Sequence, residues 1–128
     1  MEYALLNQAV SISNNHGIIE LTAPPGTDYF IDICSDYKQC NAPFYYTNVE
    51  NDFIFRCAVE PTFNTIYDAG CILVYESQNK WIKFAYENTD LGYSSVVSVI
   101  TNGFSDDCNG ERAENKNIFM QIVRKGSD

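Results

Sequence analysis

The feature that most constrains this chain is a period-two rhythm. Apolar and polar residues alternate in short runs, and Gly, Pro, Asn or Asp closes each run. Successive side chains of a strand point to opposite faces, so such alternation marks a half-buried β-strand, whereas a helix repeats near 3.6. Eight runs read as strands: residues 17–21, 27–33, 44–48, 52–60, 70–76, 81–87, 94–101 and 117–124. Ala23-Pro24-Pro25-Gly26 separates the first two and Pro61 ends the fourth, because proline cannot donate to a ladder. Residues 1–9 are expected to form a short helix or a frayed lead-in. The pattern predicts an all-β fold, an antiparallel two-sheet jelly-roll sandwich. At 128 residues the chain fits a single domain, 1–128.

Charge narrows the partners. Eight Lys and Arg stand against seventeen Asp and Glu, a net charge of -9. Such a surface repels phosphate backbones and anionic membranes, so neither nucleic acid nor a membrane is expected. No apolar run approaches the roughly 18 residues of a membrane span. Met1-Glu2-Tyr3-Ala4-Leu5-Leu6 lacks the basic start and long apolar stretch of a signal peptide, and no Asn-x-Ser/Thr sequon occurs. A cytoplasmic location is expected on these grounds.

Five cysteines stand at 34, 40, 57, 71 and 108 without a C-x-x-C pair, which gives zinc and thioredoxin chemistry little support. Cys57 and Cys71 lie in apolar runs and are expected in the core. Cys34 and Cys40 could close a short loop in an exported protein. His16, the single histidine, sits beside Gly17 as an exposed turn residue, with no Ser-His-Asp arrangement around it. Asp106, Asp107 and Asn109 have calcium-type oxygens, but an Asx-turned loop is the expected state. Asp52 and Asp68 are expected to cap turns at strand starts. No metal and no cofactor are expected.

One hairpin suggests a binding surface. Ser77-Gln78-Asn79-Lys80 joins the fifth and sixth runs. A two-residue or a four-residue turn gives the same register, with Glu76 opposite Trp81, Val74 opposite Lys83 and Ile72 opposite Ala85. Trp81, Lys83, Ala85 and Glu87 then share a face with Glu76. Cys71, Leu73, Tyr75, Ile82, Phe84 and Tyr86 form the other, core-directed face. An apolar plate beside charged hydrogen-bonding groups suits a sugar or another polar ligand, so Trp81, Lys83 and Glu87 are expected to be partly accessible and to converge.

These segments resemble a known family. Asn51-Asp52-Phe53 opens a long strand, and Tyr67-Asp68-Ala69-Gly70-Cys71 leads into another. Trp81-Ile82-Lys83-Phe84-Ala85-Tyr86-Glu87 and then Ser98-Val99-Ile100-Thr101-Asn102-Gly103-Phe104-Ser105-Asp106 follow in order. Asp28-Tyr29-Phe30 and Ala42-Pro43 match as well. From about Leu21 to Arg124 the chain resembles an uncharacterised domain family with a concanavalin A-like lectin/glucanase fold, related to the yeast regulation of enolase protein. The resemblance implies a two-sheet jelly roll with a concave face, and family positions that fall on Trp81, Lys83, Glu87, Asp68, Ser105 and Asp106. Where family members carry an aromatic after the Ser-Asp pair, this chain has Asp107.

With Glu76 from the hairpin register, the candidate ligand-binding set is Trp81, Lys83, Glu87, Glu76, Asp68, Ser105 and Asp106. The function expected is a non-catalytic carbohydrate-binding or carbohydrate-sensing module. One alternative is a glycan-acting hydrolase with Glu87 as acid/base. It lacks the E-x-D-x-E alternation of many jelly-roll glucanases and needs a second carboxylate, from Glu76 or Asp68. The other is a regulatory protein-interaction domain with no small ligand. In the family the last strand is followed by a further hairpin, so the chain reads as shortened at its C-terminus. Uncovered apolar side chains then favour self-association as a two-fold dimer, unless residues 1–9 fold back over the gap.

Overall fold

A computed structural model describes residues 1–127 of the chain, and no helix occurs among them. The strands in chain order are β1 (Ala4–Leu6), β2 (Ser11–Asn15), β3 (Ile18–Thr22), β4 (Tyr29–Ile31), β5 (Lys38–Cys40) and β6 (Phe44–Tyr46). They continue as β7 (Phe53–Val59), β8 (Ala69–Ser77), β9 (Lys80–Asn88), β10 (Ser94–Asn102), β11 (Phe104–Arg112) and β12 (Ile118–Arg124). Each pairing is antiparallel, as the alternation requires. Two compact units result, Met1–Asn48 and Val49–Asp128.

The first unit contains three strand pairs: β1 with β6, β2 with β3, and β4 with β5. The segment 1–9, expected as a helix or lead-in, supplies strand β1. Its Tyr3 stacks on Tyr45 at 4.9 Å. Directly after β1, Asn7 adopts a positive φ of 65°. Its side-chain amide donates to the Tyr29 hydroxyl at 2.9 Å, the Cys40 carbonyl at 3.1 Å and the Ala42 carbonyl at 2.9 Å. One amide therefore ties β1 to β4 and β5. The β2–β3 turn is His16-Gly17, with φ of 51° and 86°. Positive φ at both positions is the turn that matches strand twist, and glycine carries the second without steric cost.

The second unit has two layers. A four-stranded sheet in the order β11-β10-β9-β8 faces the pair β12-β7. Ile72, Tyr86 and Met120 are buried between them, and Cys57, Val59, Phe84, Ile118 and Ile122 pack around these three. The alternation of β12 explains its contribution: Ile118, Met120 and Ile122 point inward, while Phe119, Gln121 and Val123 point out. The antiparallel β-sandwich read from the alternation is thus present, with its core set by β8, β9, β7 and β12. Ile82 lies opposite Ile100, and Phe104 falls on the same side of the sheet. All three are exposed.

Several expectations need correction. Residues 104–112 form β11 and not an Asx-turned loop, so Asp106, Asp107 and Asn109 are strand residues with alternating directions. No group of metal-ligating side chains forms among the described residues. Cys57 packs against the core as expected, but Cys71 is exposed, because β8 turns Ile72 and not Cys71 toward the core cluster. The five cysteines form no disulfide.

Core closeness is testable at Gly70, where an added Cβ would meet Val59 Cγ1 at 2.5 Å. Gly70→Ala is expected to cost about 1–3 kcal/mol through overpacking. Met120→Ala, which empties the centre of the cluster, is expected to cost about 2–5 kcal/mol. Urea unfolding of the two variants measures both, and a loss below about 0.5 kcal/mol at either site contradicts the packing described.

Candidate functional site

The candidate surface depends on how β8 meets β9. Ser77 pairs with Lys80 across the Gln78-Asn79 turn, but Tyr75, not Glu76, pairs with Trp81. Glu76 is the extra residue of a β-bulge, which shifts register by one and reverses the facing of everything before it. Neither turn residue has positive φ, so the turn lacks the twist of the favoured hairpin types, and the bulge takes up the mismatch. The expected partners Glu76, Val74 and Ile72 are therefore replaced by Tyr75, Leu73 and Cys71 opposite Trp81, Lys83 and Ala85. Glu76 is exposed and forms an ion pair with Lys80 at 3.1 Å. It does not join the candidate set.

The corrected ladder gives four cross-strand rows on one face. Tyr75, Trp81, Thr101 and Ser105 form the first, and Leu73, Lys83, Val99 and Asp107 the second. Cys71, Ala85, Val97 and Asn109 form the third, and Ala69, Glu87 and Ser95 the fourth. Ser95 lies at a second bulge, where its hydroxyl is 3.1 Å from the carbonyls of Gly110 and Glu111. The hydroxyls of Thr101 and Ser105 share a hydrogen bond of 2.7 Å.

Trp81, Lys83, Glu87 and Ser105 thus lie together. Asp106 does not: it pairs with Ile100 and points to the opposite side. Asp107 occupies the face in its place, in the row of Lys83. The alternation of residues 104–112 would have shown this had their polarity not concealed a strand, and the Asn102-Gly103 turn signal was there to be read.

Exposure runs against expectation. Trp81 keeps only 2% of its surface and Lys83 7%, so these two side chains, expected to be partly accessible, are enclosed, while Asp107 at the end of the Lys83 row is exposed. Glu87 is half-buried. Asp107 lies four residues further along the ladder, roughly 13 Å, and two strands across, roughly 10 Å. The second carboxylates expected beside Glu87 are engaged elsewhere: Glu76 pairs with Lys80, and Asp68 accepts the Asn64 and Thr65 N–H groups.

Asp68 has a structural task, as its place before a strand suggested. Its carboxylate accepts the Asn64 and Thr65 amide N–H groups, each at 2.8 Å, and the Thr65 hydroxyl at 3.0 Å. It closes a turn that holds Tyr67 at a φ of 73°. The Tyr67 hydroxyl donates to Asp90 at 3.1 Å, and this bond, then the charges of Asp90, Glu87 and Asp107, push the phenol pKa up. Asp52, expected to cap its own turn, instead accepts the N–H of Gly126, beyond the end of β12, at 2.7 Å.

The Thr65 and Asn64 amides, with the Thr65 hydroxyl, hold the Asp68 carboxyl below the usual carboxylate range. A depressed folded pKa stabilises above the unfolded value of about 3.9 and loses that contribution as pH falls through the folded value. Asp68→Asn is therefore expected to lower the melting temperature at pH 7, with the gap to the parent closing below about pH 4. A gap that is equal at pH 7 and pH 3 contradicts the capping role.

Similarity to known proteins bears on fold and family. Regulation of enolase protein 1 of Saccharomyces cerevisiae is 26% identical over 101 residues, which cover 79% of this chain and 50% of that protein. A solved structure, described as a functionally unknown protein from Saccharomyces cerevisiae, matches with a TM-score of 0.86 at 22% identity. The match covers 96% of this chain and 66% of that one, and at such identity it shows the fold alone. The chain thus spans about half the length of the curated relative it matches. The model of the family described as "protein of unknown function (DUF1349)" matches residues 5–128, and the chain belongs to that family.

Proposed function

We propose that this chain is a binding module with a regulatory role, acting through contact with another protein and not through catalysis. The observation that carries the reading is the enclosure of Trp81 and Lys83. A sugar-binding face needs an open aromatic plate, and Trp81, enclosed as it is, does not offer one. The engagement of Glu76 with Lys80 and of Asp68 with its own turn argues against paired-carboxylate hydrolysis in the same way. The name of the yeast relative supports regulation, and it makes enolase the first partner to test.

Carbohydrate binding through Trp81, Lys83 and Glu87 is the second reading. It is favoured by their common face with Ser105 and Asp107, and it requires Trp81 to be reachable. The two-fold dimer belongs to the same set of proposals. Exposed Ile82, Ile100 and Phe104 form the surface it would cover, since contiguous apolar patches mark association sites.

Biosensor titration with purified enolase and a glycan array on the same preparation separate these readings. The regulatory reading expects saturable enolase binding at micromolar concentration and an array signal, if any, that survives Glu87→Gln and Lys83→Ala. No enolase binding, together with an array signal abolished by Lys83→Ala, promotes the carbohydrate reading. Light scattering tests the dimer: Ile100→Thr with Phe104→Ser is expected to return a larger species to 14.5 kDa.

A further inference from the structure

A cleft of about 430 Å³ opens at the end of the sandwich away from the Gln78-Asn79 turn. Its lining includes Phe63, Tyr86, Asn88, Tyr93, Glu114 and Asn115. None of these belongs to the Trp81 face. The volume lies within the roughly 300–1,000 Å³ of small-molecule sites. We propose that this cleft binds a neutral polyhydroxylated ligand of monosaccharide or disaccharide size.

Three properties support that assignment. The cleft is held in shape by its own bonds. Tyr86 forms part of the floor with 1% of its surface exposed, and its hydroxyl lies 2.6 Å from the Asn115 carbonyl and 3.2 Å from that of Ala113. Phe63 meets the Tyr86 ring edge-on at 5.1 Å. The segment 89–93 is drawn into a turn by buried Thr89, whose hydroxyl donates to the Tyr93 carbonyl at 2.6 Å and accepts the Leu91 N–H at 3.3 Å. A site shaped before binding does not spend affinity on ordering itself.

The second property is the mixture of groups. Two partly exposed rings, Phe63 and Tyr93, stand beside the side chains of Asn88 and Asn115 and the hydroxyl of Ser94, and the Asn88 amide is held by its N–H donating to the Thr65 carbonyl at 2.9 Å. A pyranose presents an apolar C–H face and a rim of hydroxyls that donate and accept, which matches rings beside amides.

The third property is charge balance. Arg112 and Lys116 are two of only eight cationic residues in the chain. Arg112 pairs with Glu114 and lies over the Tyr93 ring at 5.3 Å, and Lys116 pairs with Glu60 at 2.9 Å. Two positive and two negative groups neutralise each other around the opening, in a chain whose net charge is -9. Balanced charges leave no net local field to draw in a phosphate or a cation, and a neutral ligand can use their oxygens and N–H groups as they stand.

This proposal is independent of the protein-contact reading. Its test is backbone chemical-shift mapping of the full chain with glucose, galactose, maltose and cellobiose at millimolar concentration. Calorimetry on Tyr93→Ala and on Ser94→Trp, which fills the cleft, completes it. Shifts centred on residues 61–63, 86–94 and 112–117, with at least one sugar, support the proposal. So does an affinity reduced about tenfold or more by either variant. The mapping needs no variant, so a substitution that unfolds the chain leaves the test intact. No shift with any of the four sugars overturns the proposal. Shifts centred on residues 81–87 and 99–107 alone, or binding unchanged in both folded variants, overturn it as well.

Discussion

One extra residue in β8 organises the candidate surface. Side chains alternate along a strand, so a one-residue change in pairing carries every following side chain to the other face. Glu76 is that residue. Because it is bulged, Ile72 enters the core with Tyr86 and Met120, while Leu73 and Tyr75 join Lys83 and Trp81. Without the bulge, Tyr75 and Leu73 would compete for the space beside Met120, and Ile72 and Val74 would lie next to Lys83. The sandwich core and the Trp81 rows are therefore two consequences of one irregularity.

The two faces of the sheet have different characters. The core side is apolar and closes against β7 and β12. The other side mixes Trp81, Lys83, Thr101 and Ser95, all buried. Polar groups lose water on burial, which costs free energy unless hydrogen bonds replace it, and the Thr101–Ser105 and Ser95 contacts do so at two of these positions. Such a face is built more like an interior than like an open plate. The cleft near Tyr93 is built the other way, with its backbone and floor fixed by hydrogen bonds and its rim open. The shapes, more than the residue types, separate the two regions.

Much of the fold was legible because alternation reports burial directly. The long runs that became β7, β9, β10 and β12 carry strong apolar rhythm on one side. The short strands β2 and β5 were missed: Ser11–Asn15 is almost wholly polar and exposed, and Lys38–Cys40 is three residues long. Strand β11 was hidden for the same reason, since its Asp, Asn and Gly content reads as loop, and with it went the exchange of Asp106 for Asp107. The bulge at Glu76 left no mark in composition. The register read from the turn was right for Ser77 and Lys80 and wrong one step later. Trp81, Lys83 and Glu87 share a face as alternation implies because β9 is regular, whereas Ser105 came only through the family resemblance, and β11 sets it beside Thr101. Their enclosure was not legible, because burial of a second sheet face depends on contacts far apart in sequence.

Trp81 is the single tryptophan of the chain, so its fluorescence reports on the central claim without labelling. The direct measurement is acrylamide quenching of the native and the urea-unfolded protein. Enclosure at 2% of its surface predicts a blue-shifted native emission and a quenching constant that rises several-fold on unfolding. A native emission at the position of free tryptophan, quenched as readily as the unfolded chain, would contradict this enclosure and return Trp81 to the role of an open stacking platform.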